Sequence, residues 1–489
     1  MSLLAPFLAA ALLAAVAAAL LPEAARHRTP GSLAVWPGAV AAALATLGLA
    51  GALADRTDVA GAALALLIVA LTVVVQSYAS RHLRGDPRAR SFFALSSLAA
   101  LGSTTAIAAD DVVLLAVGWT LATLSTIALI SSGGAGPQTR VAVRRSTVAL
   151  LIGDAALWAA AVVATASTGS ISLAALGSLD GTAATLVGAL VAVAAVARAG
   201  SFPLHGWLPA TAATTTPVSA LLHAGFVNAG ALLLLRFSAV PSAAGPWIAG
   251  VAGAITLIVA TLAMLTRADV KGRLVHSTAA QMGFLLLACA LGAYGLAFVH
   301  VIGHALFKAS LFLGAGSAVE HALRERARPL LRPSRVGGAV GAVLILAVAA
   351  VALVASDAFA HATAALLLFA LTTAAVAGAR IGASSASAPA RAAFLLGLAV
   401  AVVGYVAVVF PGAEALVPVT TPAPLPAGFT VAVFLIAAAS LLAVRSTGPL
   451  SDRIFAFALA WGRPPLAAPT PTIRASASAG GPLEYRRVS

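Results

Sequence analysis

DVVLLAVGWTLATLSTIALISS, residues 111–132, carries one charge, at its first position, and then runs uncharged for its whole remaining length. At 1.5 Å per residue, roughly 20 such residues form a helix that crosses the hydrocarbon core of a bilayer. In hydrocarbon a helix satisfies its own backbone hydrogen bonds, while Leu, Val, Ile and Ala give it a lipid-compatible surface. The alternating apolar and polar pattern of a membrane β-barrel is not seen here or elsewhere in the chain.

Outward from this run the same character repeats. The 489 residues are 61% hydrophobic and 9% charged, a composition that excludes an ordinary soluble domain. Reading apolar runs between charged or Pro/Gly-rich breaks predicts an all-α, polytopic transmembrane bundle of about 15 spans (13–16). The sixth to eighth spans are placed near 143–165, 183–208 and 215–236, the eleventh near 294–319 and the thirteenth near 359–378. The chain divides into N-terminal spans at 1–90, a core at 91–325, C-terminal spans at 326–445 and a Pro/Ser/Ala/Arg-rich tail at 446–489, expected to be disordered. Within that tail, 452–461 reads as a short amphipathic helix for the membrane interface.

Charge is distributed by loop. Arginines at 81–90, 140–145 and 267–273 fall after odd-numbered spans, while Asp55, Asp58, Asp110, Asp111 and Asp180 fall after even-numbered ones. The positive-inside rule then puts the N-terminus outside and the C-terminus in the cytoplasm, in a cell (inner) membrane. The net charge of +14 is accounted for by this topology, with anionic membrane lipids as the remaining partner and no nucleic acid required. The first apolar run has no basic flank before it and is read as a retained helix. Cys289 is the single cysteine, so no disulfide or cysteine metal site forms within the chain.

A charge near the bilayer centre costs roughly 2.5–3.5 kcal/mol on insertion scales, so each one asks for a reason. His300, His304 and Lys308 recur every fourth residue and share one helical stripe about 12 Å long. Both residue types can take and release protons, which suits a relay. The plainer reading makes the histidines interhelical hydrogen-bond donors and lets the lysine snorkel, though Lys308 lies in the middle of its run. Asp154 sits in mid-span and needs a cationic partner, for which Arg198 is a candidate. Arg198 itself falls near the expected end of its span, where a snorkelling arginine is commonplace, yet Gly200 and Pro203 just beyond it mark a broken helix of the kind that lines ion paths. His223 lies in a span that opens with Pro217.

FPLHGWLP at 202–209 with TPVSALLHA at 216–224, TRADVKGRLVHSTAAQMGF at 266–284 and HVIGHALFKASLFLGAGS at 300–317 occur in that order. Together they resemble the antiporter-like subunits shared by respiratory complex I and Mrp-type cation/proton antiporters, over roughly residues 90–325. The resemblance implies a fold of inverted repeats with broken helices and a proton path. By position it places Arg198 where the family has a lysine of the seventh helix, His223 at a histidine of the eighth, and His300, His304 and Lys308 at the central relay. Asp154 matches a carboxylate of the sixth helix, and Asp269 with Lys271 an Asp-x-Lys loop of structural or coupling character. Two departures stand out. Thr120 occupies the place of a glutamate that pairs with the seventh-helix lysine, and the later spans lack a lysine, with Asp357 and His361 the nearest ionisable groups.

Those departures, with GWTLATLS, LLHAGFVNAGALLLLRF and HALFKASLFLGAGSAVEHA, resemble a narrower group, the DabB membrane subunits of DAB inorganic-carbon accumulation complexes. That resemblance implies a transporter subunit that is not itself an enzyme and conducts protons or another cation. It would drive CO2 hydration to bicarbonate by a large, zinc-containing, carbonic-anhydrase-like DabA partner. This chain shows no ligand spacing for zinc, so no cofactor is expected in it. The alternatives are a proton-translocating subunit of NADH-quinone oxidoreductase, an Mrp-type antiporter, and a membrane anchor that conducts nothing.

Overall fold

The computed structural model describes residues 5–20, 30–55, 58–134, 136–315, 335–355, pieces of 374–417 of which 387–409 is the longest, 425–445 and 448–462. Every regular element among them is a helix. The first seven are α1 (Ala5–Leu20), α2 (Pro30–Asp55), α3 (Val59–His82), α4 (Ala89–Ala108), α5 (Val112–Ser131), α6 (Pro137–Thr168) and α7 (Gly181–Arg198). After a break come the short α8 (Trp207–Ala210), then α9 (Thr216–Ala224) and α10 (Ala229–Arg236), joined through a single 3-10 turn. The bundle continues with α11 (Ala244–Thr266), α12 (Val270–Ala290) and α13 (Tyr294–Leu313), and beyond these α14 (Arg335–Ala355), α15 (Ala388–Gly404), α16 (Ala427–Arg445) and α17 (Pro449–Gly462) are described.

Ten helices among the described residues are long and apolar enough to cross a membrane. The fifteen expected from the sequence are not all seen as such: the thirteenth lies largely outside the described residues, and α1 and parts of α14 and α16 are apolar but shorter. The seventh expected span also ends earlier than its apolar run. Helix α7 stops at Arg198, and Gly200 takes the left-handed conformation (φ +60°), where a Cβ would also fall 2.8 Å from Leu208 Cβ. The chain then passes through Pro203, whose missing N–H cannot continue a helix, before α8 resumes.

Close helix crossings are made by glycine. Gly102 of α4 and Gly118 of α5 face each other so tightly that a Cβ on Gly102 would lie 2.6 Å from the Gly118 carbonyl oxygen. Gly253 of α11 and Gly283 of α12 repeat the arrangement, each Cβ position lying 2.6 Å from the other's carbonyl oxygen. Small residues let backbones approach in lipid, where packing rather than water exclusion drives association.

The helix ends define two faces. Asp58 and Asp111 cap the starts of α3 and α5, accepting from Gly61 N at 2.8 Å and Leu114 N at 2.7 Å. Arg236, at the end of α10, donates to the Ala109 carbonyl after α4, so these termini gather on one acidic face. On the opposite, basic face Arg145 donates to the Gly206 carbonyl at 3.4 Å and Lys271 to the Thr214 carbonyl. Asp269 caps α12 there through Gly272 N. Burial works against the Asp269 carboxylate, but the Gly272 amide and the paired Arg267 outweigh it and hold the carboxyl below its ordinary range. The segment at 449–462 forms α17, which packs against α11 and α16, and residues 463–489 lie outside the described residues.

Candidate functional site

Lys308 is wholly enclosed in α13. Its Nζ donates to Ser277 Oγ at 2.8 Å and to the Leu274 carbonyl at 3.2 Å, both on α12. Neither partner is charged, and among the described residues no carboxylate stands within ion-pair distance of it. One turn earlier on the same stripe lies His304, 3% exposed, with no hydrogen-bond partner for either ring nitrogen among the described residues. One further turn back, the His300 ring stacks on that of His304 with centroids 6.1 Å apart and also meets Phe284 at 5.0 Å. His300 Nε2 likewise has no partner among the described residues.

A fourth group, His223, enters from α9, which packs directly on α13. Its ring lies flat against Phe312, at 4.7 Å and 6°. Thr211 donates its hydroxyl proton to the Leu208 carbonyl at 2.6 Å, so at 3.3 Å the same oxygen accepts from His223 Nε2. That bond fixes the tautomer and leaves Nδ1 as a buried acceptor with no partner among the described residues. Buried polar atoms are ordinarily hydrogen-bonded. Four ring nitrogens on His223, His300 and His304 have no such partner among the described residues.

Arg198 forms a second cluster. Being at the end of α7, it is expected near the membrane boundary, but its guanidinium turns inward toward the helix N-terminus, as helical side chains do. It donates through Nη2 to Thr123 Oγ1 at 2.7 Å and to the Trp119 carbonyl at 3.2 Å, both on α5. Its Cζ stands 3.7 Å from the centroid of the Trp119 ring and 4.1 Å from that of Phe226. Asp154 of α6 completes the cluster: Oδ1 lies 3.7 Å from Arg198 and accepts from Thr123 at 2.9 Å. The Arg198–Asp154 pairing considered from the sequence is thus made, with side chains only 2% and 6% exposed. Thr120, which stands in the place of the family's glutamate, accepts from Trp158 Nε1 at 3.0 Å, and the hydroxyl that holds Arg198 is one turn further on, at Thr123. Sequence reading missed Thr123 and Ser277, because an apolar helix is full of threonines and serines that bond their own i−4 carbonyl, and nothing local separates these two from the rest.

Lys271 and Asp269 stay on the basic face, where Lys271 donates to the Thr214 carbonyl, three residues from the Thr211 hydroxyl that His223 meets. The C-terminus of α17 sits close by. The Gly462 carbonyl accepts from Arg267 Nη1 at 3.1 Å and from His276 Nε2 at 3.2 Å. Trp461 stacks on His205 of the α7–α8 break at 4.0 Å. Asp357 and His361 lie outside the described residues. Among the described residues no three His, Cys, Asp or Glu side chains stand together as metal ligands.

Helix upon helix with a broken seventh element and ionisable side chains in its interior defines a polytopic membrane protein of antiporter-like fold. Residues 109–332 match the family model described as the NADH:quinone oxidoreductase/Mrp antiporter transmembrane domain. It is 35% identical over 279 residues to a probable inorganic carbon transporter subunit, DabB1, of Halothiobacillus neapolitanus, covering 54% of this chain and 50% of that one. To a probable DabB of Bacillus anthracis it is 34% identical, with 53% and 52% covered, and to NADH-quinone oxidoreductase subunit L of Mycobacterium tuberculosis 33% identical, with 53% and 42% covered. The chain spans about half the length of the DabB relatives named here. Among solved structures it is similar to the Mrp complex from Dietzia sp., with TM-score 0.57 and 29% identity over 93% of this chain and 52% of that one. An archaeal membrane-bound sulfane sulfur reductase chain shares the fold at TM-score 0.57 and 18% identity, covering 94% of this chain and 96% of that one.

Proposed function

We propose that the chain is the membrane subunit of an energy-coupled inorganic-carbon transporter. It conducts protons, or another cation, to drive CO2 hydration and bicarbonate accumulation by a large, zinc-containing, carbonic-anhydrase-like partner of the DabA kind. The observation that carries this reading is Lys308, enclosed between two neutral oxygens and one turn from a histidine whose ring nitrogens have no partner among the described residues. A lysine held that way can lose its proton to a neighbour without breaking an ion pair, and the stripe back to His300 supplies the next acceptors. The likeness to probable inorganic carbon transporter subunits supplies the substrate class.

The chain would lie in the cell (inner) membrane with its C-terminus cytoplasmic, the partner docking on the basic face. A second reading is favoured by the likeness to the Mrp complex, which spans 93% of this chain. It makes the chain a cation/proton antiporter subunit.

Co-expression with the partner in a carbonic-anhydrase-deficient bacterium should restore growth in air, and Lys308→Ala should abolish the rescue at unchanged protein level. Equal rescue by the variant would remove Lys308 from the mechanism. Failure of rescue together with sodium-dependent proton flux in proteoliposomes would favour the antiporter reading.

A further inference from the structure

Two cavities meet at the acidic face. The outer one, about 540 Å3, is bordered by Asp58 and Asp110. The inner one, about 100 Å3, reaches Trp119, Asn228 and Arg198 in the bundle interior. Leu64, Ile107, Leu232 and Arg236 line both, and so form the neck between them. Counted along α9 and α10, Asn228 lies eight residues from Arg236, about 12 Å deeper at 1.5 Å per residue.

The inner wall is mostly apolar, but its polar atoms are unmatched. Asn228 Nδ2 donates to the Ala224 carbonyl at 2.7 Å, which leaves its Oδ1 as the free acceptor, and no protein group among the described residues meets it. Trp119 Nε1 and Arg236 Nε are in the same position. Three polar atoms with no partner among the described residues belong to side chains lining one cavity, and a void of about 100 Å3 has room for several waters to meet them.

We propose that this file is a water path from the acidic face to Arg198, passing a neck where Leu64, Ile107 and Leu232 stand beside Arg236. The three apolar side chains narrow the neck and Arg236 gives water a polar wall there, so access needs no moving lid. Its inner end touches Val301, the residue between His300 and Ile302 on the relay helix, and so brings the path alongside the histidine stripe. The path concerns access alone, and it stands or falls independently of whether the chain conducts.

Hydroxyl-radical footprinting of the full chain in nanodiscs tests it without any substitution. Trp119 and Trp207 are 4% and 0% exposed, but only Trp119 lines the inner cavity. Radicals born from water on the path should oxidise Trp119 at least about tenfold faster than Trp207. Equal, slow oxidation of the two would overturn the proposal. For sidedness, Asp110→Cys, Leu64→Cys and Asn228→Cys are placed singly in a Cys289→Ser chain in vesicles of either orientation. Silver ion is applied, and protected thiols are counted by N-ethylmaleimide after denaturation. All three should be protected from the same face, in the order Asp110, Leu64, Asn228. Protection of Asn228→Cys from the face opposite to Asp110→Cys, or its complete absence while Asp110→Cys is protected, would overturn it.

Discussion

A buried arginine is a fixed charge, and Arg198 is held by the Thr123 hydroxyl, the Trp119 carbonyl, the faces of Trp119 and Phe226, and the Asp154 carboxylate. Removing one member of a buried pair leaves the other uncompensated, at a loss of roughly 3–5 kcal/mol. Arg198→Met should therefore lower the thermal midpoint in detergent sharply, and adding Asp154→Asn should recover more than half of that loss. A double variant no more stable than Arg198→Met would mean that the 3.7 Å separation carries no coupling. Ser277 offers a finer test. Ser277→Ala takes one of the two acceptors from Lys308 but leaves the Leu274 carbonyl, so proton flux in proteoliposomes should fall by about tenfold or less, well short of the loss in Lys308→Ala. Equal effects of the two variants would show that the lysine depends wholly on the hydroxyl. Candidate residues such as Lys308 were legible in the sequence because an ionisable group in an apolar run is costly wherever it stands. Their partners were not, because Thr123 and Ser277 become special only when another helix presents Arg198 or Lys308 to them.

Helix crossings in lipid depend on how closely two backbones can approach, and α11 with α12 is the tightest case that bears on the site, since α12 supplies both acceptors of Lys308. A Cβ at Gly283 would lie 2.6 Å from the Gly253 carbonyl oxygen and as close to Leu257 N, both backbone atoms that cannot turn aside. Gly283→Ala should thus destabilise the protein by about 1–3 kcal/mol, the range for overpacking a filled interior. Gly303→Ala, on α13 with nothing within 4 Å of the added methyl, should be neutral or slightly stabilising through helix propensity. Thermal unfolding of the two side by side decides the matter, and similar shifts would show that the crossing has room to relax. The broken element α7–α8 shows the same dependence on detail. Its apolar run continues to Leu208, so hydrophobicity alone extends the span, whereas the Gly200 conformation and the missing Pro203 donor stop the helix at Arg198.

Across the whole molecule, fold class was written in composition and in the length of runs such as 111–132, since hydrocarbon thickness leaves a chain few options. Span number was harder to read, because apolarity does not say which helices cross completely. The seat of α17 on the basic face was beyond the sequence altogether: it rests on a carbonyl, at Gly462, and on a ring stack between Trp461 and His205 that are distant along the chain. The segregation of charge into a mainly acidic and a mainly basic face, by contrast, runs through many of the described helix ends and bears on orientation. Asp58, Asp110, Asp111 and Asp180 precede helix starts or follow helix ends on one face, and Arg81, Arg88, Arg140, Arg144, Arg145, Arg267 and Arg273 gather at the other. Basic loops resist export, so the face with the arginines should be cytoplasmic, and α17, which touches it, should be cytoplasmic as well. A fluorescent protein fused after Ser489 should accordingly fold and emit, while alkaline phosphatase fused at the same point should stay inactive. The opposite pair of results would invert the molecule, put Asp58 and Asp110 on the cytoplasmic side, and move the proposed partner surface to the acidic face.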